Sequence, residues 1–422
     1  MFESSAAHLL LIAIVISSIV LMLLRPRGIA EAWWIGAGAA LLVVLRLVPL
    51  CLAGKAVSEG TDVYLFLAGM MLLSELARLY GVFDWMASVA AEHAHGSAVR
   101  LFTLIYGVGT LVTIFLSNDA TAVVLTPAVL ASVRRSKAEP LPYLFACAMI
   151  ANAASFMLPI SNPANLVVFR TQMPPLAHWL ISFALPSLVS IVSTYIVLRW
   201  CFRRELRSGI AQSEAKTHLM GNGRVVLAGI VLVIVVLLVS SSLGIDLGLP
   251  TCISALVIAA IAVIRARTSP VLVLREISWR VLPLVAGLFV LVTAMESVGA
   301  TRIAIAGLHW AQALPVAAGA YVTAFTVGVG NNLVNNLPLG LIAGSTLKLT
   351  HAHGLIANAV LIGVDLGPNL SVTGSLTTIL WLIALRREGF HVGFGTFLKI
   401  GALAMPIALA LAMGTAILMA KG

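Results

Sequence analysis

The sequence predicts an all-α polytopic membrane protein, with about ten transmembrane helices plus two re-entrant hairpins arranged as an inverted repeat. Three observations predict this. Sixty per cent of the 422 residues are hydrophobic and only 10% are charged, against about 25% charge in a soluble domain. The apolar residues gather in runs near the ~20 residues that a helix needs to cross a bilayer. Lys and Arg are shared unevenly between alternate loops, as in a chain threaded through a membrane. The formal charge of +10 therefore belongs to loops facing the cytoplasm. No basic patch is interleaved with aromatics, so no nucleic-acid partner is expected.

The first apolar run, 8–24, is followed by Arg25-Pro26-Arg27 and not by a small-residue cleavage site. It reads as a retained span and not as a signal peptide. Further spans are expected at 32–50, 61–80, 141–169 and 176–198, then at 225–243, 249–264, 281–299, 355–385 and 393–419. Two more apolar stretches, 101–133 and 313–347, are each interrupted by a polar tip. The first tip is Ser117-Asn118-Asp119, and the second holds Asn331, Asn332, Asn335 and Asn336. Either stretch could be a re-entrant hairpin or two full spans.

With both stretches as hairpins and the N-terminus outside, twenty of the 26 Lys and Arg residues fall on the cytoplasmic side. Lys55, Arg170, Arg302, Lys348 and Lys421 fall outside, and Arg46 lies within a span. Counting the hairpins as full spans leaves these totals unchanged, so charge orients the chain without setting hairpin depth. Both termini are expected outside the cytoplasm, in a multi-pass protein of the cell (inner) membrane.

The chain repeats itself. "FLAGMMLLSELARLYGVFDW" (66–85) resembles "LVAGLFVLVTAMESVGATRI" (284–303), pairing Gly69 with Gly287 and Gly81 with Gly299 at an offset of 218. "SNDATAVVLTP" resembles "GNNLVNNLPLG" at an offset of 213, and "PISNPANLV" (159–167) matches "GPNLSVTGSL" (367–376) at a similar one. Two repeats follow, 1–198 and 225–422, joined by a basic cytoplasmic linker at 199–224 that includes Lys216. Each holds five spans and a hairpin. Five is odd, so the second repeat is inverted relative to the first. Inverted repeats with helices interrupted at matching places are the pattern of a secondary transporter.

There are four polar interruptions: Ser117–Asp119, Pro159–Asn165, Asn331–Asn336, and Asp365–Asn369 running on to Ser375. Pro163 and Pro368 cannot continue a helical hydrogen-bond ladder, and Gly367 and Gly374 permit unusual turns. Non-helical backbone at membrane depth survives only where protein or a water-filled cavity covers it. Helix ends exposed there offer free N–H donors to a ligand.

"SNDATAVVLTPAVL", "GNNLVNNLPLGLIAG" and "DLGPNLSVTGSLTTILWLIALRREG" resemble the arsenite efflux permeases (ArsB-type, the membrane subunit of arsenical pumps) of the ion transporter superfamily. The similarity covers nearly the whole chain in span number, order of interruptions and length. It implies a scaffold domain and a transport domain. It implies export of arsenite or antimonite driven by inward proton movement. In some organisms it also implies a soluble ATPase subunit on the cytoplasmic face. Sodium-coupled carboxylate carriers of the superfamily carry Ser-Asn-Thr at the hairpin tip. Asp119 stands in place of that hydroxyl and favours protons over sodium.

The residues fit such a cargo. Arsenite is a neutral trihydroxide at pH 7, and amides and hydroxyls can both donate to it and accept from it. Asn118, Ser161, Asn162, Asn165, Asn331, Asn332, Asn369, Ser371 and Thr373 are the candidate contacts. None of the four interruptions contains Lys or Arg. Intramembrane carboxylates are costly and suggest function. Asp119 and Asp365 are the candidate proton carriers, ahead of Glu75 and Glu296.

No metal, cofactor or catalytic centre is expected. Cys51, Cys147, Cys201 and Cys252 are too scattered for a three-thiolate site. The His-Ala-His stretches at 93–95 and 351–353 read as solvated loop residues. No HExxH-type or nucleophile motif points to an enzyme. A carboxylate or inorganic-anion carrier of the same superfamily, coupled to sodium or protons, is the alternative.

Overall fold

The computed structural model describes residues 5–170, 173–211, 218–219 and 221–420. Lys216 and Lys421, assigned above to the linker and to the outer face, lie outside the described residues. The first half contains α1 (Ser5–Leu24), α2 (Glu31–Val44), α3 (Leu50–Glu59), α4 (Thr61–Leu79) and α5 (Val82–His93). It continues with α6 (Ala98–Phe115), α7 (Thr126–Arg135), α8 (Leu141–Ala153), α9 (Pro163–Val168) and α10 (Leu176–Cys201). The second half follows the same order. It opens with α11 (Gly221–Ser242), α12 (Gly248–Ala266), α13 (Pro270–Glu276), α14 (Val281–Ser297) and α15 (Arg302–Ala313). It ends with α16 (Val316–Val334), α17 (Asn336–Thr350), α18 (Leu355–Leu366), α19 (Leu376–Arg387) and α20 (Phe394–Met419).

The matched details extend to the joints. α3 meets α4 at 48°, and α13 meets α14 at 44°. Gly81 (φ 71) and Gly299 (φ 73) make the left-handed turns after α4 and α14, a conformation that costs glycine nothing. α10 and α20 are both 26 residues long, with Pro186 and Pro406 inside them. The halves are interleaved: α4 packs on α12, α14 on α2, and α10 on α20. Gly69 allows α4 to reach the backbone of Thr251, and Gly287 allows α14 to reach Ile35.

Six of the described helices could each cross a bilayer by length and apolarity, or up to eight when each bent pair counts as one span. The sequence suggested ten. The runs 141–169 and 355–385 account for much of the difference. Each resolves into two short helices around an irregular segment, α8 with α9 and α18 with α19. α2 is only 14 residues long. Conversely, α3, α5, α13 and α15 were not visible as apolar runs. Residues such as Lys55, Asp84, Arg275 and Arg302 dilute their hydropathy.

Both ends of the first hairpin lie together. Ile210 N donates to Gly96 O, just before α6, at 3.2 Å, and Ala211 N donates to Ser136 O, just after α7, at 2.9 Å. The second hairpin starts beside the helix that follows it, with Gly319 of α16 next to Ile356 of α18.

Candidate functional site

Each interruption ends in a capped helix. Ser117 Oγ accepts from Ala120 N at 3.1 Å, and Asn162 Oδ1 accepts from Ala164 N at 3.0 Å. Ser375 Oγ accepts from Thr377 N at 3.0 Å, and Asn335 Oδ1 faces Leu337 N at 3.5 Å. These are the side chains that satisfy orphan N–H groups at helix starts. After Ser117 the chain makes a π-type turn over Ala120–Leu125 before α7. Pro127 provides a reason: it has no N–H, and its ring would crowd the carbonyl one turn back. Single π-type turns of this kind recur at functional sites.

The caps revise the pairing of the hairpin tips. Ser117 corresponds to Asn335 and Asn118 to Asn336, an offset of 218. The offset of 213 had paired "SND" with the first asparagine doublet. The second doublet is the one at the tip, and Asp119 corresponds to Leu337. Offset 213 does hold further on, where Asn162 and Ser375 cap α9 and α19.

The four helix starts meet. Asn118 and Asp119, Asn162 and Pro163, Asn336 and Leu337, and Leu376 and Thr377 line one small cavity, closed by Leu67 and Val281. Its volume is about 20 Å³, room for about one water. A second cavity of about 490 Å³ adjoins it, between α4 and α13 on one side and α7 and α19 on the other. Leu67, Asp119, Pro163 and Val281 border both. The large cavity ends among Glu75, Arg78, Asp84, Glu276, Arg387 and Glu388.

Asp119 is half-buried at this junction. Thr377 Oγ1, at the start of α19, donates to its Oδ1. Asn118 Nδ2 donates to the same hydroxyl at 3.3 Å, and Asp119 N donates to Asn118 Oδ1 at 2.9 Å. A carboxylate thus faces the positive end of a helix from the other half. Asp365 is fully buried and borders neither cavity. Asn162 Nδ2 donates to its Oδ1 at 2.5 Å, which ties it to a residue that lines the small cavity.

The other residues singled out above hold the irregular segments together. Asn331 Nδ2 donates to Gly363 O at 2.9 Å and to Val364 O at 2.8 Å. Asn332 Nδ2 donates to Gly328 O at 2.9 Å and Gly367 O at 3.0 Å, while its Oδ1 accepts from Ser371 Oγ at 2.8 Å. Thr373 Oγ1 donates to Asn332 O at 2.8 Å. Asn369 Nδ2 donates to Met149 O at 3.0 Å. Asn165 Nδ2 reaches Ser155 O at 2.9 Å, and Ser161 Oγ donates to Ile114 O at 2.8 Å. None of these seven borders either cavity.

Glu75 pairs with Arg78 at 2.6 Å on the wall of the large cavity. Glu296 accepts from Ser345 Oγ, away from both cavities. Gly367 has an ordinary helical φ of −51°, and Gly374 is not among the positive-φ residues. Their role is close approach, because a Cβ on Gly367 would lie 2.3 Å from Gly328 O.

Sequence reasoning missed Thr377 and gave Asn336 no role. Both line the small cavity, and Asn336 Oδ1 is buried without a hydrogen-bond partner among the described residues. The signal for Thr377 was the cap Ser375 two residues earlier, which sets the first turn of α19 at the interruption.

Broken helices from two matched halves, meeting around a polar pocket inside an apolar helical protein, define a membrane transporter. The comparisons with known proteins agree. The model of the citrate transporter family matches residues 5–366, and the chain belongs to that family. It is 26% identical over 416 residues to the arsenical pump membrane protein of Escherichia coli strain K12, covering 92% of this chain and 94% of that one. It is 24% identical over 414 residues to a putative arsenical pump membrane protein of Bacillus subtilis strain 168, covering 91% and 93%. Among solved structures, the YdaH transporter of Alcanivorax borkumensis superposes with a TM-score of 0.54 at 15% identity, over 89% of this chain and 88% of that one. That match speaks for the fold alone.

Proposed function

We propose that the protein exports arsenite and antimonite from the cytoplasm in exchange for protons. The small cavity marks the substrate pocket and has to widen beyond its present volume of about 20 Å³ to admit the cargo, in a conformation open to the cytoplasm. The halves act as inverted repeats, both termini lie outside, and transport exposes the pocket to each side in turn. The observation that carries this reading is the place of Asp119. Among the described residues it is the only acid that borders both the closed pocket and the open cavity.

The pocket's chemistry favours a neutral hydroxylated cargo. Asn118, Asn162, Asn336 and Thr377 offer donors and acceptors, and no Lys or Arg lines the cavity. Helix N-termini alone can hold anions, but here Asp119 already faces one of them. A citrate-like polyanion would have to sit beside that carboxyl without a compensating cation. The arsenical pump names of the relatives support the same cargo. The family's citrate description supports a carboxylate carrier as the second reading.

A single cycle follows. Asp119 releases a proton to the cytoplasm through the open cavity as the cargo enters. The cargo's hydroxyls replace pocket water against Asn118 and Asn162. The pocket then turns outward, and the cargo leaves as Asp119 is reprotonated. Coupling of this kind requires no ATPase, although a soluble arsenical-pump ATPase could dock on the cytoplasmic face. The test is antimonite accumulation in everted membrane vesicles that contain this protein and no other pump component. Accumulation should need an acid interior and should collapse with a protonophore. Sodium-dependent citrate uptake without antimonite transport would select the second reading.

A further inference from the structure

An ion pair far from the pocket has an unpaired counterpart in the other half. Arg170 follows α9 and reaches α3 and α14. Its Nη1 lies 3.5 Å from Glu59 Oε2, and its guanidinium stands 5.5 Å from the ring centroid of Phe289 on α14. Its side chain is only 12% exposed. Glu59 closes the short helix α3, just before the 19-residue α4. The cytoplasmic end of α4 is therefore about 28 Å away.

The same parts recur at that far end. Glu276 closes α13, the counterpart of α3. Arg387 closes α19, the counterpart of α9. Arg170 stands eight residues after the cap Asn162, and Arg387 stands twelve after the cap Ser375. Each arginine thus stands at or just past the C-terminal end of the helix that its cap opens. Phe289 corresponds to Met71 at the offset of 218, and Met71 lines the large cavity. Glu276 and Arg387 both line this cavity and are exposed. Arg387 makes no ion pair among the described residues, and Glu276 has only Arg78, at 3.9 Å.

We propose that Arg170–Glu59 and Arg387–Glu276 are two latches that close in alternation. The outer latch is shut in the present conformation, which the proposed function reads as inward-open. When the cytoplasmic cavity closes, Arg387 swings onto Glu276 while Arg170 releases Glu59. The inference rests on the alternating exposure proposed above, and not on the identity of the cargo. The four residues are positioning residues. They set the ratio of inward-open to outward-open protein and touch no substrate.

The test is cytoplasmic access to a cysteine at Ala131, an exposed residue lining the large cavity. Everted vesicles carry Ala131→Cys in a chain whose Cys51, Cys201 and Cys252 are serine, and an impermeant maleimide reports the labelling rate. Glu59→Gln opens the outer latch and should slow labelling by about two- to fivefold, the effect of an ion pair with exposed parts. Adding Glu276→Gln to Glu59→Gln disables the inner latch as well and should return the rate toward that of the parent. Adding Arg387→Gln should do the same. Two merely damaging substitutions would not repair each other.

A parent-like rate in Glu59→Gln overturns the proposal, as does a double variant labelled no faster than Glu59→Gln. Labelling needs no cargo, so opposite shifts without antimonite flux would keep the latches and remove the substrate assignment. Flat labelling with intact flux would do the reverse.

Discussion

The two hairpin tips are built alike and carry different chemistry. Each opens a helix with a cap followed by an asparagine, Ser117-Asn118 in the first half and Asn335-Asn336 in the second. The next residue is Asp119 in one and Leu337 in the other. The first tip continues into a π-type turn, with its acid open to both cavities. The second is pinned by backbone, with Asn336 N donating to Gly374 O at 2.9 Å and Asn335 N to Asn331 O at 2.7 Å. A related contrast lies at the ends of α8 and α18, where Asn152 corresponds to Asp365. There each side chain reaches the opposite half: Asn152 donates to Asn369 at 2.9 Å, and Asp365 accepts from Asn162. Symmetry of the backbone thus supports a pocket that can turn both ways. Asymmetry of the side chains puts a titratable group on one tip only.

The largest expected effect comes from removing that asymmetry. Asp119→Asn keeps the shape and the bond to Thr377 but cannot carry a proton, and it should abolish pH-driven accumulation of antimonite. Asp365→Asn is the comparison and should retain accumulation, because Asp365 borders neither cavity. Equal losses in the two variants would erase the distinction between them. Next, Asn118→Ala and Asn162→Ala each remove an amide from the pocket, and Asn162→Ala should also melt earlier because it strips the α9 cap and the partner of Asp365. At roughly 0.5–1.5 kcal/mol for a net hydrogen bond, each should weaken half-saturation by about two- to tenfold, measured as the concentration dependence of uptake.

Asn332→Ala should act differently. It deletes bonds to Gly328, Gly367 and Ser371, at a cost of roughly 1–3 kcal/mol of stability. The purified protein should melt earlier, while the protein that remains folded keeps its half-saturation. A shift in affinity with no loss of stability would return Asn332 to the pocket. The smallest effect is at Asn335, which holds φ 77° and ψ 154°. That region is comfortable only for glycine and costs other residues about 1–3 kcal/mol. Asn335→Gly should melt no earlier than wild type, and Asn335→Ala should melt earlier. Equal melting of the two variants would mean that the tip relaxes out of this conformation.

Much of the fold was legible in the sequence because bilayer crossing leaves a strong compositional trace. Runs such as 176–198 and 393–419 became α10 and α20 nearly unchanged. The interruptions were legible too, since Pro163, Pro368 and clustered asparagines have few uses at membrane depth. Amphipathic helices such as α5 and α15 were hidden, because charged residues at their exposed faces erase a hydropathy signal. The roles within the interruptions were less legible. Asn332 and Asn118 look equivalent in a sequence, for an amide that braces a turn and one that lines a pocket have the same donors and acceptors. Only the three-dimensional neighbours separate them. Thr377 lay hidden for the same reason, its partner Asp119 being 258 positions away.

The central claim is that Asp119 carries the proton exchanged for the cargo, and proton movement can be recorded directly. Purified protein in liposomes with an internal pH dye, clamped with potassium and valinomycin, is given antimonite outside only. Wild type should take up antimonite and drive protons out, turning the interior alkaline. Asp119→Asn should admit antimonite down its gradient with no change in internal pH. The same proton release per antimonite in both proteins would contradict the account.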